Sequence, residues 1–344
     1  MLPAAADRGR IVALESSGYL VLTDPGGTHV TKLSAIGKVG QETVASEDGR
    51  YLSLGNGQVL IVKKDATLAG YPARVPISSI ATPAWPDSFA DHDRDLIILP
   101  GGYGGQGSSA QNPVTVVSIA SGTSRSLGEA DAVAADPQVA GAFVSVAAPQ
   151  IASSTTQQSS PDSRVELRDA GLPAVVLATA GALRRDLSLG QNDPVALDPF
   201  PNPSGDKIAV EVLPVDGTTS GIVMLNRTGR VIGTLLTPFG VQGTPVWSPS
   251  GTSLAYPSIG NDGPGLFIWT GGGQAAARPF PLSAANDAAF SRCVWSPDGK
   301  SILCEREGPG QHHWVVVGAS GGALAEPAQA PGLPLAWLPS GGGR

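Results

Sequence analysis

The chain has 344 residues, only 15% of them charged, and a formal net charge of −7. With no run of Lys or Arg, that balance argues against a nucleic-acid or anionic-membrane partner, and no apolar stretch approaches the roughly 20 residues of a spanning helix. The 45 Gly and 30 Pro are spread along the whole length, which predicts many short elements joined by turns within one domain, 1–344.

The chain starts "MLPAAADRGR", without the apolar core of a signal peptide. From Arg8 to Leu33 it reads "RGRIVALESSGYLVLTDPGGTHVTKL", three strand-like runs with no run before them. A partial repeat follows at 41–68, with "YLSL" and "VLIV" around an Asp-Gly turn. The next, 83–128, has "PAWPDSFADHDRDLIILP", then the loop Gly101 to Pro113, then "VTVVSIASGTSRSL". In 131–177 the runs "VAADPQVAGAFVSV" and "RVELRDAGLPAVVL" are separated by the insertion Ala147 to Ser163. A long linker, Ala178 to Ala196, leads to 196–238, where "FPNPSGDKIAVEVL" continues into "GIVMLNRTGRVIGTLL".

The last two repeats, 244–283 and 292–327, are the clearest. "VWSPSGTSLAY" (Val246 to Tyr256) returns as "VWSPDGKSILC" (Val294 to Cys304). An apolar run ends in Trp, Ser-Pro-x-Gly makes a turn, and a second apolar run follows, so each copy opens as a hairpin. A third run ("GLFIWT", "HWVVVG") and a fourth ("AARPFPL", "GALAEPA") complete four antiparallel strands, one blade of a β-propeller. The chain finishes "PLAWLPSGGGR", an opening strand in 331–340 that lacks the other three. Joined to 10–35, it completes a blade. The expected fold is therefore all-β, a seven-bladed β-propeller whose ring is closed by N-terminal strands pairing with a C-terminal strand. Trp85, Trp247, Trp295 and Trp337 share one repeat position and are expected to pack between blades.

The Trp295 to Gly299 turn, and less closely Trp247 to Gly251, resembles the WD40-like PD40 repeat of the TolB family of bacterial envelope propellers. The resemblance implies a propeller and a bacterial, cell-envelope setting. It leaves function open, since such propellers serve as binding platforms and also accompany peptidases. The separate N-terminal α/β domain of TolB has no room here. Composition rich in Ala, Gly, Pro, Val and Arg is similar to that of high-GC bacterial proteins.

Cys293 and Cys304 lie at equal distances from the Ser296-Pro297-Asp298-Gly299 turn. If Asp298 and Gly299 are the two turn residues, the cysteines face each other across adjacent strands, close enough for a disulfide. Strict alternation from that turn makes them a hydrogen-bonded pair, which suits a disulfide less well, so a disulfide calls for a small change of register; two buried free thiols are the alternative. A disulfide implies folding outside the cytoplasm. The expected location is periplasmic, cell-surface or secreted, with the export signal or anchor outside this sequence.

No catalytic constellation stands out. "GASGG" around Ser320 matches a nucleophile elbow but lies in a turn between strands. "GYGGQG" (Gly102 to Gly107) has no helix after it. "DHDRD" (Asp91 to Asp95) lacks the glycine and closing Glu of a calcium loop. His29, His92, His312 and His313 do not form a ligand set. No catalytic residue, metal or cofactor is expected.

The three long insertions fall on one face of adjacent blades, the third to fifth. They are expected to form a binding rim carrying Tyr103, Gln106, Gln150, Arg184 and Arg185. The leading expectation is a monomeric, non-catalytic extracytoplasmic propeller that binds a protein or cell-envelope ligand there. The alternatives are a lyase- or lactonase-type enzyme with its site at the channel mouth, and a sensor domain of a longer membrane protein.

Overall fold

A computed structural model describes residues 9–33, 38, 44–45, 51–54, 59–62, 68–70, 84–90, 95–100, 112–118, 121, 123–139, 142–147, 163–169, 172–190, 195–214, 220–237, 243–260, 263–271, 278–280, 290–308, 311–320, 323–325 and 330–338. In chain order the strands are β1 (Arg10–Leu14), β2 (Leu20–Thr23), β3 (Thr31–Lys32), β4 (Val44–Ala45), β5 (Tyr51–Ser53), β6 (Val59–Val62), β7 (Leu68–Gly70), β8 (Ala84–Ala90), β9 (Asp95–Pro100), β10 (Asn112–Ser118), β11 (Ser124–Ala130), β12 (Ala132–Ala135), β13 (Phe143–Ala147), β14 (Arg164–Arg168) and β15 (Val175–Thr179). Helix α1 (Ala180–Asp186) follows, then β16 (Val195–Pro201), β17 (Lys207–Pro214), β18 (Ser220–Asn226), β19 (Val231–Thr237), β20 (Val246–Trp247), β21 (Leu254–Gly260), β22 (Gly263–Trp269), β23 (Arg278–Phe280), β24 (Phe290–Trp295), β25 (Ser301–Gly308), β26 (Gln311–Gly318), β27 (Ala323–Ala325) and β28 (Leu333–Leu338).

Among the described residues these strands form seven four-stranded sheets, six of them in simple chain order and one ordered β28-β1-β2-β3. Every pairing is antiparallel, and the last strand joins the first with Ile11 opposite Trp337. The chain divides into two compact units, one of Met1–Tyr71, Val241–Gly271 and Ala276–Arg344, the other of Pro72–Gly240 and Gly272–Ala275.

In the first unit, alternation along β1 and β2 sends side chains to two different cores. Val12, Leu14, Leu20 and Leu22 pack with Leu52 and Leu54 of the β4–β7 sheet. Ile11, Ala13 and Val21 pack with Leu303, Trp314 and Val316 of the β24–β27 sheet and with Trp337. Burial on both faces explains why the sequence runs apolar without alternation there. Tryptophans also join neighbouring sheets. Trp295 Nε1 donates to the Val246 carbonyl of β20, 3.0 Å away, and Trp314 Nε1 to the Gly332 carbonyl at 2.7 Å.

In the second unit β12–β15 and β16–β19 share one core, which includes Val144, Val165, Leu197, Val210 and Val223. Val114 and Val116 of β10 pack with Val133 and Phe143 in another. The outermost strands are the least covered, as the largely exposed β11 and β15 show.

The two Ser-Pro-x-Gly turns are alike. In each, the glycine N–H donates to the serine carbonyl at 2.8 Å, with Gly251 and Gly299 at φ 66° and 68°. That left-handed conformation is what reserves the position for glycine. Each hairpin closes one residue further out than a two-residue turn would, with Ser296 N–H donating to the Ser301 carbonyl at 2.8 Å. This corrects the expected ladder. Cys293 still faces Cys304, but counting out from Ser296 and Ser301 makes them a non-hydrogen-bonded pair. Their Cα atoms are 4.1 Å apart and their sulfurs are bonded.

The disulfide spans 11 residues, and closing a loop of that size contributes about 3 kcal/mol. Replacing both cysteines by Ala is expected to lower the urea-unfolding free energy by roughly that amount. The same loss should follow reduction of the wild-type chain, and neither treatment should change the strand content seen by circular dichroism.

Candidate functional site

The second unit holds the sequence-expected rim, and its described part differs from the expected loop. The linker between β15 and β16 opens with α1. Thr179 caps it, accepting from the Ala182 N–H at 3.2 Å, and the Ala180 N–H donates to the Ser163 carbonyl. Ala180, Leu183 and Leu187 recur at helical spacing and enter the core shared by the two sheets. Arg184 and Arg185, both expected on the rim, differ in burial on this helix. Arg184 lies on the core side, 2% exposed, whereas Arg185 is exposed.

A charged lock fixes the neighbouring turns. Arg227, just after β18, grips Asp136 through both guanidinium nitrogens, Nη1 to Oδ1 at 2.8 Å and Nη2 to Oδ2 at 2.5 Å. Asp136 is buried, and Arg227 also reaches the Gly205 carbonyl. Gln138 Nε2 donates to the Ser204 carbonyl at 2.8 Å, and the Asp136 carboxylate accepts from the Gln138 N–H. In the same turn Asp206 accepts from Asn202 and Ser204, which hold its carboxyl at about 2.

Beside this lock the outer strands β15 and β19 carry exposed apolar side chains. Leu172 is 65% exposed, and Val175, Val176, Val231 and Leu236 are also exposed. Gly229, in the turn before β19, sits so close to β15 that an added Cβ would lie 2.2 Å from the Leu177 carbonyl oxygen. The turn before β19 therefore meets β15 at Leu177. Leu172 to Thr179 contains no charged residue. Among the other outer strands, β3, β11 and β23 carry charge in Lys32, Arg125 and Glu129, and Arg278, whereas the short β7 and β27 carry none.

A fourth feature lies at the opposite edge of the β16–β19 sheet. Asp198 of β16 faces Glu211 of β17. Glu211 is 7% exposed. Burial, reinforced by the charge of Asp198, pushes its carboxyl up to about 8. The sequence held the signal for this pair. The two residues stand at equal distances from the Ser204-Gly205 turn, as the two cysteines do from theirs.

Tyr103, Gln106, Gln150 and the loops that bear them lie outside the described residues, as does His92. Ser320 falls in the exposed turn after β26. His29 is exposed beside Asp24. Among the described residues no group of His, Cys, Asp and Glu is arranged to hold a metal ion, and no helix is long and apolar enough to cross a membrane.

No family model matches the sequence, and no curated protein matches it. Solved structures do. A candidate 6-phosphogluconolactonase from Bacteroides uniformis is 13% identical, with 96% of this chain and 98% of that one covered and a TM-score of 0.55. The Cps50 (Swd1) β-propeller domain of Myceliophteria thermophila is 13% identical over 83% of this chain and 85% of its own, with a TM-score of 0.51. The chain folds as a β-propeller. TolB from Acinetobacter baumannii also matches, 11% identical over 95% of this chain and 81% of its own, with a TM-score of 0.45. At such identities the likeness of this propeller to the others concerns the fold.

The Asp136–Arg227 lock generates a prediction for the propeller. Asp136→Ala is expected to destabilise by roughly 2–4 kcal/mol, because it leaves a partly buried guanidinium without its bidentate partner. In urea unfolding, the double variant with Arg227→Ala should cost clearly less than the sum of the single changes.

Proposed function

We propose that the protein is a non-catalytic, extracytoplasmic binding propeller that recognises a protein or cell-envelope ligand with the surface of its third to fifth blades. The observation that carries this reading is the exposed, uncharged apolar edge of β15 and β19. Exposed apolar clusters on a soluble fold mark interaction sites. This one lies in the blades to which the long insertions belong, and Arg185 is exposed on α1, which follows β15. The buried Cys293–Cys304 disulfide supports an oxidising compartment.

A second reading, a propeller enzyme of lyase or lactonase type, is favoured by the Asp198–Glu211 pair. A buried carboxyl pushed up to about 8 and facing a second acid across the ladder is equipped for general acid–base work. That reading requires turnover that Glu211→Gln abolishes, whereas the binding reading requires none.

The test is capture from envelope extract with three baits: the intact chain, a variant with Leu172→Glu, Val175→Glu and Leu236→Glu, and a variant whose segments 101–113 and 147–163 are shortened to turns. The intact chain is expected to retain a partner that the triple-Glu bait loses by at least about tenfold, the effect of removing roughly 1.4 kcal/mol of apolar contact. Equal capture by all three baits would remove this surface from the account.

A further inference from the structure

Each of the seven sheets opens with a first strand at one edge, and these strands differ in charge. Among the described strands β4, β12, β20 and β28 carry none, β8 and β16 carry an acid, and β24 alone carries a base, Arg292. The ladder is irregular where Arg292 stands. Pairing of β24 with β25 is regular from Cys293 opposite Cys304 to Trp295 opposite Ile302, and its register shifts between Phe290 and Cys293. Ser291 and Arg292 therefore both stand against Glu305, the single residue between Cys304 and Arg306. A bulge of this kind re-aims a side chain that regular pairing would fix.

The two bulged residues treat that acid differently. The Ser291 hydroxyl donates to Glu305 at 2.8 Å, and Glu305 is buried. Arg292 lies in the field of Glu305, yet among the described residues its guanidinium forms no hydrogen bond and no ion pair. Burial pulls its pKa down, and the Glu305 charge pushes it up. The side chain is half-buried, so the cation has lost much of its water without being sealed from solvent. A guanidinium carries five N–H donors in a planar fork, and shielded donors are ordinarily bonded.

The neighbouring sheet brings a second donor. Thr244 stands four residues before Ser248, as Arg292 stands four before Ser296, so both occupy one repeat position. The backbones meet there, since a Cβ on Gly243 would lie 2.1 Å from the Ser291 carbonyl oxygen. Thr244 is exposed.

We propose that Arg292 anchors a binding site for the carboxylate of a small organic acid, with the Thr244 hydroxyl as a second donor. The guanidinium fork matches the two oxygens of a carboxylate. Glu305 already sets one negative charge beside the cation, so a monoanion is accepted more readily than a divalent phosphate. Arg292 is only partly exposed, which suits a small acid better than the broad face of a protein. All of these residues belong to the first unit, so the site does not rest on the β15–β19 surface.

The test is an NMR titration of the 15N-labelled whole chain with sodium acetate, and separately with inorganic phosphate, at constant ionic strength. Acetate is expected to move the Gly243, Thr244 and Ser291 amide signals and the Arg292 Nε–H signal along one saturable curve, half-complete at roughly 10–100 mM. Arg292→Lys keeps the charge but loses the fork, and should weaken acetate by about tenfold at the amide signals. Thr244→Val should weaken it by about fivefold. Shifts that never saturate, or that Arg292→Lys leaves intact, would overturn the proposal, and so would phosphate binding as tightly as acetate. Should Arg292→Lys fail to fold, saturation in the wild type and weakening by Thr244→Val decide in its place.

Discussion

A four-stranded antiparallel sheet has two faces and cannot bury either one alone; that constraint organises this chain. Each copy of the repeat therefore carries apolar side chains on both faces of its inner strands, and its neighbours supply the cover. β1 and β2 show this most directly, with one set of side chains against Leu52 and Leu54 and the alternate set against Leu303 and Trp314. The same constraint explains why the sequence returns to Trp-Ser-Pro-x-Gly. In the two clearest copies the first strand ends in Trp247 or Trp295, and the hairpin turn ends in a left-handed glycine, Gly251 or Gly299. The pairing of β28 with β1 applies the rule to the ends of the chain, which lie far apart in sequence and share one sheet.

What the inner strands require leaves the periphery free to vary. Among the described residues the outermost strands β3, β11 and β15 are largely exposed, so their side chains are shaped by solvent or by a partner. β3, β11 and β23 carry charge there, as edges usually do to discourage adventitious pairing. β15 and β19 do not. Gly229, in the turn before β19, lies against the Leu177 backbone of β15, and the Asp136–Arg227 lock joins the turns after β12 and β18. At the other edge of the same β16–β19 sheet, the first strand carries Asp198 at the repeat position where β24 carries Arg292.

The architecture was legible because turns and apolar runs are local signals. The positions of Gly251 and Gly299, and the facing of Cys293 and Cys304, followed from counting residues around a turn. The hydrogen-bonding phase of that cysteine pair did not, because it depends on whether Ser296 and Ser301 close the loop. Helix α1 was hidden inside a stretch dominated by Gly, Arg and polar residues. Yet Thr179, Ala180, Leu183 and Leu187 supplied both the cap and the period, and reading them would have placed Arg184 on the core side. The Asp136–Arg227 pair joins turns 91 residues apart, and no local pattern announces such a contact. Tyr103, Gln106 and Gln150 remain sequence-based expectations.

The claim on which the account depends is that each sheet is held by its neighbours, and the shared sheet of the first and last strands exposes it to a direct test. Removing residues 333–344 deletes β28 and should leave β1 with an unpaired edge and an uncovered face. Hydrogen-exchange mass spectrometry is expected to show that β1 and β2 lose most of their protection. The loss should extend to Leu52 and Leu54 on one side and to Leu303 and Trp314 on the other. Unchanged exchange in β1, with β26 equally protected, would contradict the account.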